Sequence, residues 1–190
     1  MTNRFPNLVT RLQECEDKRA RRPGIPWSGI LIHHTGVGTK HPEENDLPKW
    51  DRLLQGTLNW LTAKDKVYVS AHFIVSRTGV IHQLVDPEYD VAFHAGESQF
   101  WNPVSRKIEP GCNDRFVGVE LIGDGNLAAY PDEQYEATAK LCRSIFDRYT
   151  SINPICIVGH ENVAPGRKED PGAKFDWRHF FRLIFTEKPL

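Results

Sequence analysis

Apolar residues fall into short blocks along this chain, and the spacing inside each block tells strand from helix. Gly29-Ile-Leu-Ile-His33 is a continuous apolar run rich in β-branched residues, read as a buried strand ending in His33-His34-Thr35. Ala71–Val75 and Val80–Leu84 flank Arg77-Thr-Gly79 and predict a hairpin, and Phe116–Ile122 predicts a further strand. Trp50, Leu53, Leu54, Leu58 and Leu61 recur at helical spacing over Lys49–Ala63, although Gly56 weakens that helix. Asp132–Tyr149 gives the clearest helical period, opening at Pro-Asp with Tyr135, Ala139, Leu141, Cys142, Ile145 and Phe146 on one broad face. Ile155–Val158 reads as a buried strand leading into Gly159-His160, and Asp176–Phe185 as a closing amphipathic helix. Strands alternating with helices predict one α/β domain, a central mixed β-sheet flanked by helices.

The remaining stretches are polar. Residues 1–26 carry the run Lys18-Arg-Ala-Arg-Arg-Pro23 and are expected to form a short helix and a solvated N-terminal arm, with the domain proper spanning 27–190. Gly36–Pro48 has no period and reads as loop.

Composition narrows the function classes. A chain of 190 residues suits one domain with a full core. Its 24 Lys plus Arg balance 25 Asp plus Glu, so nothing in the charge favours nucleic acid as a partner. No segment has the length and apolarity of a bilayer span, so membrane insertion is not expected. The first 15 residues lack the apolar core of a secretory signal, so a cytoplasmic protein is expected, as is a phage-encoded one released to the wall at lysis. Cys15, Cys112, Cys142 and Cys156 have no metal-type spacing and are expected to be reduced.

Reactive side chains gather where apolar strands end: His33-His34, Glu120, His160, and the run Arg167-Lys-Glu-Asp-Pro-Gly172. Two histidines and a carboxylate with an open fourth position form one known type of catalytic zinc site, and His33, His160 and Asp170 could supply it. Pro171 biases Asp170 towards an extended backbone, which would put Lys168 on the same side and Glu169 on the other. Each residue alone is more often ordinary surface or hydrogen-bonded scaffold, the reading given to His41, His82 and His179. Only the joint arrangement favours a metal hydrolase.

Ile-Leu-Ile-His33-His34-Thr35, Val69-Ser-Ala-His72-Phe-Ile-Val75, Ala92-Phe-His94-Ala-Gly96, Cys112-Asn-Asp-Arg-Phe-Val-Gly-Val-Glu120, Val158-Gly-His160 and Ala164-Pro-Gly-Arg-Lys168-Glu-Asp170-Pro-Gly occur in that order. The ordered set resembles the N-acetylmuramoyl-L-alanine amidases, the family of AmpD, the amidase-type phage lysozymes and the peptidoglycan-recognition proteins, with the AmpD pattern the best match. The resemblance implies one zinc ion per chain on His33, His160 and Asp170, the choice of His33 over His34 resting on the family pattern. It implies Glu120 as general base and acid, Lys168 as support for the polarised carbonyl, and His94, Arg167 and Asn113 around the substrate; a scaffold role for His94 stays open. The implied partners are peptidoglycan fragments or murein, bound by a monomer. Gly111 and Tyr68 stand where the AmpD pattern has arginines, so peptide recognition matches less well than the catalytic centre. A non-catalytic peptidoglycan-binding module and a partner-regulating protein on the same fold are the competing readings.

Overall fold

The structure is a computed structural model that describes residues 1–37, 42–43, 45–63 and 68–186; His41 lies outside them. In chain order the elements are β1 (Val9–Leu12), β2 (Lys18–Ala20), β3 (Gly29–His34), α1 (Leu47–Thr62), β4 (Phe73–Val75) and β5 (Ile81–Gln83). There follow β6 (Asp90–Ala92), β7 (Gln99–Asn102), β8 (Lys107–Pro110), β9 (Phe116–Leu121), α2 (Asp132–Arg148), β10 (Ile157–Gly159), α3 (His160–Val163) and α4 (Trp177–Thr186). Six strands form one sheet in the order β1-β5-β4-β9-β3-β10. β4, β9, β3 and β10 run parallel, while β5 is antiparallel to β4 and parallel to β1, so the sheet is mixed as expected.

Alternation along the central strands sorts their side chains onto two faces. Ile30 and Ile32 of β3, Phe73 and Val75 of β4, and Val117, Val119 and Leu121 of β9 share one core cluster with Ala139, Leu141, Cys142 and Ile145 of α2 and with Phe180 and Ile184 of α4. Gln134 ties α2 to the strand ends, its side-chain amide donating to Val75 O at 2.9 Å and Ile122 O at 3.1 Å. The other face is covered in two parts. α1 packs Trp50, Leu58 and Leu61 on a cluster that includes Ile74, and Phe100 of the β7–β8 ribbon packs with Leu31 and Phe116. Between these covers lies the end of the sheet that carries His33 and Glu120.

Three expectations need correction. The N-terminal stretch is not a helix: β1 is an edge strand on β5, and β2 pairs antiparallel with β6. Its cations are engaged as well. Arg19 forms an ion pair with Asp114, and the Arg21 guanidinium lies 3.8 Å from the Trp27 ring centroid. The last sheet strand is shorter than expected, because Pro154–Cys156 forms a 3-10 turn and only Ile157–Gly159 pairs with β3. α1 starts at Leu47 rather than Lys49, with Asp46 capping Lys49 N–H and Pro48 in the first turn, where its missing N–H costs nothing.

Candidate metal centre and active site

His33 and Glu120 are cross-strand partners on neighbouring parallel strands, and Ile74 faces Glu120 from the other side. Gly159 pairs with Ile32, so His160, the next residue, arrives level with His33. Asp170 comes from the loop after α3; its carbonyl accepts from Glu161 N–H at 3.1 Å, and the Asp170–Pro171 peptide is cis. Gly159 makes room for this loop, since a Cβ there would lie 2.6 Å from Pro171 Cδ.

Three buried atoms converge as a result. His33 Nδ1 lies 3.0 Å from His160 Nδ1 and 2.9 Å from Asp170 Oδ2, and His160 Nδ1 lies 3.1 Å from the same oxygen. The neighbouring hydrogen bonds say where the ring protons are. His94 Nε2 must donate to Phe116 O, 3.1 Å away, so a neutral His94 accepts at Nδ1 and His33 Nε2 donates to it at 2.9 Å. His160 Nε2 donates to Ala95 O at 3.1 Å. Burial pushes His33 down to about 4, despite its contact with Asp170, so the ring is neutral near pH 7. With their protons committed outward, both Nδ1 atoms present lone pairs to a carboxylate.

Asp170 is ionised. Burial opposes its charge, while a proton or positive charge on the imidazoles of His160 and His33 holds the carboxyl well below the usual carboxylate range. With both imidazoles neutral and protonated outward, two lone pairs and a carboxylate oxygen this close repel one another unless a proton or a metal cation lies between them. They are ligands of the type and number zinc takes in catalytic sites, and bonds of about 2.0–2.1 Å would set such atoms roughly 3.3 Å apart at tetrahedral angles. His33, His160 and Asp170 are the group that could hold a metal ion among the described residues, so this donor set fits the implied zinc.

His34 points to the opposite face. Its Nδ1 accepts from Gly125 N–H at 3.1 Å and lies 3.2 Å from Pro171 O, which leaves it outside the triad.

Glu120 is half-buried, and its Oε2 is buried with no hydrogen-bond partner among the described residues. Burial and the charge of Asp170 push its carboxyl up to about 8, with the charge of Lys168 working against them. Lys168 is itself exposed on a turn, its N–H donating to Ala164 O at 3.1 Å. Arg167 Nη2 donates to Ala95 O at 2.7 Å and Glu97 O at 2.6 Å, beside a groove of ≈ 490 Å³ that Ser98, Pro110, Val163 and Pro165 also line. His94 is 8% exposed, with both ring nitrogens engaged inside the protein. Asn113 Oδ1 accepts from His94 N–H at 2.9 Å and Ala95 N–H at 2.6 Å.

Sequence reasoning missed two contributors. His72 is fully buried below His94, its Nδ1 accepting from Gly118 N–H at 2.9 Å. Gly118 admits the His94 ring, because a Cβ there would lie 2.6 Å from His94 Cγ. A glycine two positions before Glu120 in an otherwise apolar strand was the available signal, since such a glycine often marks close approach of another group. Gly111 has φ +71°, a left-handed conformation that a side chain would strain.

Among the described residues no helix is long and apolar enough to cross a membrane. The family model for N-acetylmuramoyl-L-alanine amidase matches residues 23–173. The 1,6-anhydro-N-acetylmuramyl-L-alanine amidase AmpD of Escherichia coli K12 is 37% identical over 163 residues, covering 83% of this chain and 82% of that protein. A crystal structure of AmpD superposes with a TM-score of 0.70 at 29% identity, covering 92% of this chain and 93% of the other. The amidase AmiD from E. coli, in complex with anhydro-N-acetylmuramic acid-L-Ala-D-γ-Glu-L-Lys, gives a TM-score of 0.63 at 26% identity, covering 87% of this chain and 60% of that one. The sequence match and the shared architecture agree: this chain belongs to the N-acetylmuramoyl-L-alanine amidase family and is an enzyme of that class.

Proposed function

We propose that this chain is a zinc-dependent amidase that cuts the lactyl–L-alanine amide of soluble anhydromuramyl peptides, with His33, His160 and Asp170 holding one zinc ion. The observation that carries the metal is the convergence of two buried imidazole nitrogens and a buried carboxylate oxygen within about 3 Å of one another, a donor set that catalytic zinc takes. The substrate class is supported by the names of the similar AmpD enzymes and by the anhydromuropeptide bound to AmiD.

Bound there, zinc would supply Lewis acidity, polarising a carbonyl and making water a stronger acid. The chain's own residues do the rest. Glu120 takes the proton from the water that attacks the lactyl carbonyl carbon and returns it to the alanine nitrogen, which leaves as an amine. Positive charge at the triad draws the Glu120 carboxyl down from its metal-free value of about 8, towards the neutral range where proton exchange in both directions is efficient. Lys168 places its ammonium where it shares the negative charge that develops on the carbonyl oxygen. Arg167 can offer the rest of its guanidinium to a stem-peptide carboxylate in the adjoining groove.

The test is release of peptide from anhydromuramyl-tripeptide, followed by chromatography, beside the same assay on intact sacculi. Cleavage is expected to stop on chelation, to return with zinc, and to run faster on the soluble substrate. Chelator-insensitive cleavage would contradict the zinc dependence, and a preference for sacculi would contradict the substrate class.

A further inference from the structure

One short segment holds both histidine ligands from behind. His94 accepts the Nε2 proton of His33, and the next residue, Ala95, accepts the Nε2 proton of His160 through its backbone carbonyl. The segment is itself pinned by a single atom, Asn113 Oδ1, which accepts both the His94 and the Ala95 backbone N–H. Asn113 sits in the 3-10 turn Cys112–Asp114, anchored outward by the ion pair of Asp114 with Arg19. The His94 ring is fixed at its far end by Phe116 O and clamped edge-on by His72, the ring centroids 5.6 Å apart.

A core histidine that only filled space would need shape alone. Here each hydrogen bond has a direction, and the directions add up: Phe116 O sets the His94 proton on Nε2, and His94 Nδ1 sets the His33 proton on Nε2. The lone pair of His33 Nδ1 is then left facing the triad. Groups behind a ligand that fix its tautomer and ring orientation affect metal affinity almost as directly as the ligand itself.

We infer that His94 and Asn113 are positioning residues for the metal, His94 by locking His33 with Nδ1 free, and Asn113 by fixing the segment that presents His94 and the Ala95 carbonyl. Both therefore act through the ligands rather than by lining the substrate cleft. The inference rests on the zinc reading, and its test is read from metal affinity and ring tautomers, so the two can fail separately.

In the unaltered, metal-free protein, nitrogen NMR of the histidine rings is expected to show His33 protonated at Nε2 and bare at Nδ1. His94→Phe removes the acceptor behind His33, and Asn113→Leu removes the one behind the segment. Each is expected to weaken zinc about 10–100-fold in competition with a chromophoric chelator, measured on the folded fraction. His94→Asn keeps an acceptor close to the Nδ1 position, and Asn113→Asp keeps both acceptances, so both are expected to hold zinc more tightly than the variants that lack an acceptor. Unaltered zinc affinity in His94→Phe and Asn113→Leu would overturn the inference, as would a His33 ring protonated at Nδ1. Should those variants fail to fold, the ring tautomers of the unaltered protein decide alone. If the unaltered protein binds no zinc, the zinc reading falls instead.

Discussion

The two faces of β3 and β9 are built from alternate residues of the same short strands, yet they are held by different physics. Towards α2 and α4, Ile30, Ile32, Val117, Val119 and Leu121 are buried hydrocarbon, held by area and close packing. Towards the site, His33 and Gly118 meet His72, His94 and His160 through directed hydrogen bonds and edge-on rings. The apolar face can accept another apolar side chain of similar volume at small cost. The polar face cannot, because moving one ring nitrogen changes which atom faces the triad. The lesson is a division of labour: one face supplies stability, and the other uses it to hold two imidazoles and a carboxylate in an arrangement that could take a metal ion.

Substitutions on each face should separate these roles. The largest effect is expected from Glu120→Gln, which removes the proton acceptor and leaves the ligands in place. The turnover number should fall about 10²–10⁴-fold with zinc content unchanged; undiminished turnover would remove Glu120 from proton transfer. Next comes Ile32→Ala on the helix-facing side. It deletes fully buried methyl groups and should cost about 2–5 kcal/mol in a denaturant titration. Zinc affinity of the folded fraction should be nearly unchanged, and a parallel loss of zinc would mean that the faces are coupled.

The smallest effect is a pH dependence in the metal-free protein. Glu120 has a folded value of about 8 against roughly 4.3 unfolded, so between these values the folded state binds more protons and stability falls as pH rises. His33 and His72 lie low, at about 4 and about 3, because burial disfavours their charged forms. They bind fewer protons folded than unfolded, so stability gained through them rises with pH up to about 6.5 and offsets Glu120 there. Burial lowers His82 and His94 in the same direction, and the tails of these histidine titrations extend above pH 6.5, so Glu120 is opposed there as well and dominates only as pH nears 8. Glu120→Gln should therefore make the slope of stability against pH more positive than in the unaltered metal-free protein between about pH 6.5 and 8, read as melting temperature against pH. An identical slope in the variant would show that Glu120 is not the group responsible.

Much of the apolar face was legible in the sequence. Continuous β-branched runs marked β3 and β9, and the helical period marked α2, because burial there is large and local. β1 and β2 were not legible, since edge strands with exposed charged residues carry no alternation that separates them from a solvated arm. On the polar face, residue types at strand ends allowed a metal hydrolase, and only the ordered family motifs singled out His33, His160 and Asp170. The supports stayed hidden because they are long-range: His33 meets His94 across 61 residues, and Asn113 reaches back 19 residues to His94. No local pattern encodes which ring nitrogen faces which acceptor.

Zinc content per chain, measured after zinc loading and dialysis for the unaltered protein and for His33→Ala and His34→Ala, tests the centre of this picture most directly. Close to one zinc is expected in the unaltered protein and in His34→Ala, and almost none in His33→Ala. A folded unaltered protein without zinc, or zinc kept by His33→Ala and lost by His34→Ala, would contradict it.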